Sequence, residues 1–485
     1  MLLLPVLLAM PLAFADTAGT VDVEKALKQF IDVFSVIQQN AADPVNSEQA
    51  MYQGSIPGML RKLDPHSVFF DPQQFEQLKE MEKSESKGFG TILSITPGRI
   101  VVLQAMPGSP SAKSGLAPGD EILAVNNVAL GRLEFDQIVG YLSEARQHQA
   151  ALVVRRPGNV RLFNFVLDPA VLDAPSVDRA FFLANGAGYV RINSFDTQTA
   201  KQFKAALDKL DASKLTGLVI DFRSNPGGVV QTALECAALF LDSGQRVVSV
   251  RGRNLKSEDV DVPKDAVPYT FPVAILVGGK TASAAEIFTG AMQDHDRATV
   301  LGEPTYGKGL VQNVFPLSGN TALALTTAFY YTPSGRSIQK PLQSGQLVFE
   351  TTRKEYKTDK GRTVLGGGGI GPDILVGPEA PTRLKVALES SGSLTAFATE
   401  YIQKNKVDAS FVVTSSILDD FHVFVSQRGI QPPVGEWLQE SDYIRSRLEQ
   451  EILNQGVGVE YGDQVEMRRD PVVRAALKSL GLALN

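Results

Sequence analysis

One cysteine in 485 residues, Cys236, excludes an internal disulfide. It stands in the amphipathic run VVQTALECAALFL, reads there as a small buried apolar residue, and leaves the compartment open. The four histidines include none spaced with a second metal-type residue, so the chain offers no ligand set for a metal ion. His66, between Pro65 and Ser67, reads as a turn histidine. A patch of one charge is also lacking: 47 basic against 53 acidic residues give a formal charge of −6 with both signs dispersed. That speaks against a nucleic-acid partner, an anionic membrane surface or a polyphosphate site. No internal repeat and no low-complexity tract interrupts the chain.

The length predicts about three or four domains. Residues 1–15, MLLLPVLLAMPLAFA, form a short apolar run ending in the small-x-small pattern Ala13-Phe14-Ala15. A membrane span needs about 20 residues, so this segment reads as a signal peptide cleaved before Asp16. The basic start of such a peptide is missing, which leaves membrane anchoring as the alternative. Residues 16–82 carry helical periodicity broken by LDPHSVFFDPQQF and read as a helical N-terminal region. From residue 83 to 168 the period becomes that of strands, in GFGTILSIT, RIVVLQAM, DEILAVNNVAL, AALVVRRPG and VRLFNFVL, around one helix, LEFDQIVGYLSEA. The turn-rich GSPSAKSGLAPGDEILAVNN makes this stretch resemble a PDZ domain. Such a domain adds a C-terminal peptide as a strand and holds its carboxylate on loop N–H groups, here at Gly88, Phe89 and Gly90.

Residues 169–380 alternate strands and helices, which predicts a layered α/β domain. Residues 381–485 are mostly helical beyond the Gly-rich turn LGGGGIGPDI, which reads as lying near a boundary. Within the α/β part, the apolar strand FPVAILVGG leads into TASAAEIFTGAMQDHDR. Ser283 with Glu286 three residues later fits a capping box, and a serine at a strand-to-helix turn also fits a nucleophile. A nucleophile needs a base within about 3 Å. His295 lies twelve residues along the same predicted helix, about 18 Å away, and is excluded if that helix is continuous.

The base then comes from elsewhere, and GEPTYGKGLVQ offers Lys308 between two glycines. On a strand the even separation from Lys308 to Gln312 predicts a shared face. A lysine acts as a base only when neutral, and neutrality at pH 7 takes roughly 4.6 kcal/mol, within what burial supplies. Leu310, Val311 and Ala284 are the apolar neighbours expected to provide it. For an oxyanion the N–H of Ala284 stands at the helix start, and Gly227 or Gly228 in DFRSNPGG allows a second backbone donor to approach.

Together LDPHSVFFD, the PDZ segment, GYVRINSF, DFRSNPGG, TASAAEI, GKGLVQ, YYTPSGRSIQ and GGGGIGPDI resemble the carboxyl-terminal processing peptidases over residues 55–380. That resemblance implies a multidomain α/β protein: a crotonase-like layered protease core, a β-rich PDZ domain and helical terminal regions. It implies Ser283 as nucleophile, Lys308 as general base, Gln312 as the residue orienting the lysine, and Gly228 and Ala284 near the oxyanion donors. It implies an exported, periplasmic endopeptidase acting on polypeptides with apolar or unstructured C-termini, without cofactor or metal, and with room for a protein activator or adaptor. Thr281 and Ala285 stand where that family often has serines. Two other readings stand beside it: a catalytically silent PDZ adaptor, which keeps these residues, and a crotonase-like acyl-CoA enzyme, which would share only the fold and gains nothing from composition. The C-terminal helices read as packing onto the protease domain, with a docking or oligomerisation surface as the alternative.

Overall fold

The structure is a computed structural model that describes residues 17–482, apart from 83–86, 97, 173, 255, 344–345 and 348–352. The expected signal segment 1–15 and its cleavage site lie outside the described residues. Among the described residues no helix is long and apolar enough to cross a membrane.

At the centre stands a six-stranded sheet in the order Val177–Phe182, Ala187–Ile192, Gly217–Asp221, Val273–Val277, Ala298–Gly302, Ile374–Leu375. The first pair is antiparallel and the rest run parallel. Gly217–Asp221 and Val273–Val277 are buried at every residue, because both sheet faces are covered, and so they read as unbroken apolar runs rather than alternating ones. Over one face lie the helices Thr199–Lys209, Val230–Ala237 and Ala284–Asp294, with Phe203, Phe222, Phe240 and Phe288 in a common cluster. Cys236 is fully buried in that cluster, and burial pushes its thiol pKa far up. On the opposite face Val472, Val473, Ala476 and Leu477 of the helix Pro471–Ser479 meet Tyr189, Val219, Ala274 and Leu276. The last helix among the described residues is therefore a layer of the central α/β core.

The Gly-rich turn carries the chain back into this sheet, where Ile374 pairs with Leu301. A second sheet is built around the long strand Thr321–Tyr331. On one of its edges it pairs with Leu310–Leu317, and on the other with Val68–Phe70 and Arg246–Gly252. The N-terminal region is thereby knitted into the α/β core through a strand of three residues.

The segment between holds the sheet Thr91–Thr96, Arg99–Ala105, Glu121–Val125, Ala150–Arg155, Leu162–Leu167 in that spatial order. The helix Phe135–Ala145 packs Ile138 and Ala145 into the same core. Thr91–Thr96 is an edge strand that pairs with Arg99–Ala105. Residues 383–456 close a separate helical cluster around Leu388, Phe397, Phe421, Trp437 and Leu448. Its helix Ser441–Gly456 packs on the strand Arg99–Ala105, and just beyond that helix Gln104 Oε1 accepts the Val459 N–H at 3.1 Å.

Candidate active site

Ser283 sits between the strand Val273–Val277 and the helix Ala284–Asp294, with φ 54° and ψ −118°. For a serine this is a left-handed, sparsely populated conformation costing about 1–3 kcal/mol, kept only where the surroundings over-determine it. The surroundings are specific. Thr281 is fully buried; its hydroxyl donates to the Phe222 carbonyl at 2.7 Å and accepts the Gly278 N–H at 3.0 Å. The Ala282 N–H reaches the Asn225 carbonyl at 3.0 Å. These bonds tie the turn to the end of the neighbouring strand Gly217–Asp221, so Thr281 is a structural pin.

Ser283 and Glu286 take the relative placement of a capping box, but the hydroxyl makes no capping hydrogen bond. The carboxylate half is formed: Glu286 Oε2 accepts the Ser283 N–H at 2.9 Å. Glu286 is fully buried and also takes the N–H of Gly307 at 2.7 Å, the N–H of Lys308 at 2.9 Å and the Thr305 hydroxyl. Burial pushes its carboxyl above the usual range, while the bonds from Thr305, Lys308, Gly307 and Ser283 pull it down. One carboxylate thus joins the serine turn to the lysine loop. Sequence reasoning treated Glu286 as a cap; its three further donors come from residues 305–308, and no local pattern announces them.

His295 caps the far end of the eleven-residue helix, with Nδ1 on Asp359 and Nε2 on the Arg246 carbonyl, both at 2.7 Å. It is bound at the other end of the helix from Ser283. Lys308 is half-buried, and its neighbours Leu310 and Ala284 are buried. The strand expected to carry Lys308 begins only at Leu310, and a bulge falls between Val311 and Gln312. Even spacing therefore does not set a shared face for Lys308 and Gln312, because a bulge breaks the two-residue alternation. Instead, Gln312 Nε2 donates to the His66 carbonyl at 2.7 Å.

The Gly227-Gly228 turn closes against Ser283. Gly227 has φ 96°, and a Cβ there would lie 2.8 Å from Ser283 Cβ and 2.9 Å from Ala284 N. Gly228 has φ 138°, and a Cβ there would lie 2.0 Å from the Phe195 carbonyl oxygen. The Gly227 N–H is committed to Asn225 Oδ1 at 2.8 Å. Asn225 is itself fully buried, with its amide nitrogen on the Ile192 carbonyl at 2.8 Å. Among the described residues the N–H groups of Gly228 and Ala284 take no protein acceptor. Two free donors at the mouth of a helix, beside a serine hydroxyl, form an arrangement that accepts negative charge.

Gly88, Phe89 and Gly90 belong to the domain built on the sheet of Thr91–Thr96 and not to the Ser283 cluster. Gly88 pairs with Ala170, and Gly90 has φ 72°. The Phe89 carbonyl accepts the Ser111 N–H at 3.0 Å, and the Gly90 carbonyl accepts the Met106 N–H at 2.8 Å. The N–H groups of Phe89 and Gly90 have no acceptor among the described residues, so the loop presents donors beside the open edge of Thr91–Thr96.

Fold and site together define a serine hydrolase built on a layered α/β core with an inserted peptide-binding domain. The model of peptidase family S41 matches residues 186–344, and that of the PDZ domain matches residues 101–156. A carboxy-terminal-processing protease of Bartonella bacilliformis is 31% identical over 368 residues, which cover 74% of this chain and 77% of that protein. The carboxyl-terminal-processing protease of Synechocystis sp. is 31% identical over 303 residues, 61% of this chain and 70% of that protein. The carboxy-terminal processing protease CtpB of Bacillus subtilis is 29% identical over 323 residues, 65% and 66% of the two chains. The chain belongs to the carboxy-terminal-processing proteases of peptidase family S41 and is a serine-type endopeptidase with an inserted PDZ domain.

Proposed function

We propose that this protein is an exported, periplasmic endopeptidase that holds apolar or unstructured C-terminal tails on its PDZ domain and cuts the adjoining chain with Ser283. The tail carboxylate is received by the N–H groups of the Gly88-Phe89-Gly90 loop, and its backbone extends the sheet beside Thr91–Thr96. Ser283 Oγ attacks the scissile carbonyl carbon while the neutral amine of Lys308 takes the hydroxyl proton. The oxyanion rests on the N–H groups of Gly228 and Ala284, the two donors left free beside the serine. Collapse breaks the C–N bond, Lys308 returns the proton to the leaving amine, and a water activated by the same amine hydrolyses the acyl ester. Gln312 orients Lys308. These steps balance without a cofactor.

The domain limits that go with this reading are a leader at 1–15, a helical region at 16–82, the PDZ domain at 83–168, the protease domain at 169–380 and helices at 381–485. A crotonase-like core and a partner protein acting as activator or adaptor belong to the same reading. The observation that carries it is the pairing of Ser283 and Lys308 through Glu286, with a free-donor turn over the serine. Its test is digestion of an unstructured reporter with an apolar C-terminus by residues 16–485, beside Ser283→Ala and Lys308→Ala, read by mass spectrometry. Discrete cuts near the C-terminus by the wild type alone support it. Tail binding without turnover by any of the three chains overturns it in favour of an adaptor.

A further inference from the structure

His66 lies outside the residues that the sequence assigns to catalysis, and the fold brings it to them. In the second sheet Val68 stands opposite Ala324 on one side of the long strand. Gln312 stands opposite Thr326 on the strand's other side, and the turn that precedes Val68 approaches the same Thr326.

The His66 backbone is held firmly. Asp64 Oδ1 accepts the N–H groups of His66 and Ser67, both at 2.7 Å, and Asp64 Oδ2 accepts the Ser67 hydroxyl at 2.7 Å. Ser67 Oγ in turn accepts the Thr326 N–H at 3.2 Å. The His66 carbonyl thus points at a fixed place and takes Gln312 Nε2 at 2.7 Å. A primary amide anchored by its nitrogen presents its oxygen to the opposite side, and Gln312 Oε1 has no donor among the described residues. An oxygen so aimed is suited to an N–H of Lys308, whose lone pair is then left for Ser283. The half-buried imidazole makes no hydrogen bond among the described residues. The charged groups acting on it are Lys308 across the site and Asp64 on its own turn, while the Glu286 carboxylate lies behind the Lys308 backbone. Burial and then the Lys308 charge lower the His66 pKa, and Asp64 opposes them.

We propose that the Asp64–Ser67 turn of the N-terminal region is part of the catalytic apparatus, with the His66 carbonyl fixing the orientation of Gln312 and the His66 side chain standing beside Lys308. His66 is a positioning residue: it acts through Gln312 and Lys308. The proposal rests on the reading of Lys308 as the base.

The test replaces His66 by Lys, Glu and the neutral reference Gln, and reads the acidic limb of the kcat/KM–pH profile on a peptide reporter. A cation at this position disfavours protonated Lys308 and an anion favours it. Relative to His66→Gln, the limb is therefore expected to move down in His66→Lys and up in His66→Glu, by about 0.5–1 pH unit each. A purely structural turn residue changes the rate but gives no displacement that follows the sign of the charge, so coincident limbs overturn the proposal. Full activity in Lys308→Ala overturns the base assignment itself, and the proposal with it. Should a charged variant fail to fold, the ¹³Cε resonance of Lys308 is compared between Ser283→Ala and the double variant carrying His66→Gln. Loss of the imidazole ring current shifts it if the ring lies beside the lysine, and an unmoved resonance overturns the proposal.

Discussion

Ser283 and Lys308 donate their backbone N–H groups to the same oxygen of Glu286, each at 2.9 Å. Because the Gly307 N–H and the Thr305 hydroxyl share the remaining oxygen, the carboxylate fixes the distance between two loops that are otherwise far apart in the chain. Glu286→Gln replaces one acceptor by an amide nitrogen facing N–H donors. We expect kcat to fall at least ~100-fold and stability by about 2–4 kcal/mol, since buried donors are left unpaired. Peptide turnover and a urea titration check both. A drop in stability with kcat retained would mean that Glu286 serves the fold alone.

The glycine turn gives a second expectation. Gly228→Ala puts a Cβ 2.0 Å from the Phe195 carbonyl oxygen, while Gly227→Ala puts one 2.8 Å from Ser283 Cβ. Both are expected to abolish turnover, Gly228→Ala also lowering the thermal midpoint. Gly227→Ala should retain binding of a tail peptide, measured by calorimetry, because the PDZ loop is a separate structure.

Asn225 decides which glycine has a free N–H. Asn225→Ala releases the Gly227 N–H and leaves the Ile192 carbonyl without its side-chain partner. The expected effect is a loss of about 1–3 kcal/mol of stability, together with about a 10- to 100-fold loss in kcat as the Gly227-Gly228 turn loosens. A normal kcat would place the oxyanion donors elsewhere.

Tail binding and chemistry should separate. Gly90→Ala adds a Cβ 2.3 Å from Ser109 Cβ at a position of φ 72°. Cleavage of a long tail-bearing reporter is expected to show a raised KM, with turnover of a short internal peptide unchanged. Equal loss on both substrates would show that the loop serves the protease core.

Acid stability carries a sign. Burial pushes the Asp178 carboxyl up, but the Arg191 hydrogen bond and the Arg191 and Arg179 charges outweigh it and hold the pKa below the usual carboxylate range. A folded value below the unfolded one means that the contribution is complete above about pH 4 and is lost as pH falls through the folded value. The urea midpoint should fall between about pH 4 and pH 2, and Asp178→Asn should flatten that slope.

Much of this architecture was legible in the chain. Apolar runs bounded by Gly and Pro gave the buried strands Gly217–Asp221 and Val273–Val277, and the change to strand periodicity after Gly88 gave the PDZ domain. Ser283 stood out because a strand, a Gly-Gly turn and a helix start converge on it. The C-terminal helices were read as packing, and their last member does pack, but as a layer of the core sheet. The partner of an amphipathic face is chosen by tertiary contacts, and helical spacing says only that a partner exists.

What the sequence by itself determined is local: element type, turn chemistry, the residue kinds able to act as nucleophile, base and backbone donors, and the peptide-binding module. Those properties follow from side-chain period and backbone freedom, which are written residue by residue. Tertiary structure alone decided that Glu286 joins Ser283 to Lys308, that Asn225 occupies Gly227 and leaves Gly228 free, that a bulge at Gln312 breaks the expected shared face, and that His66 reaches Gln312. Each of these depends on hydrogen-bond geometry between segments distant in sequence. A hydrogen bond forms or fails within a few tenths of an ångström, and only the packed core fixes positions that closely.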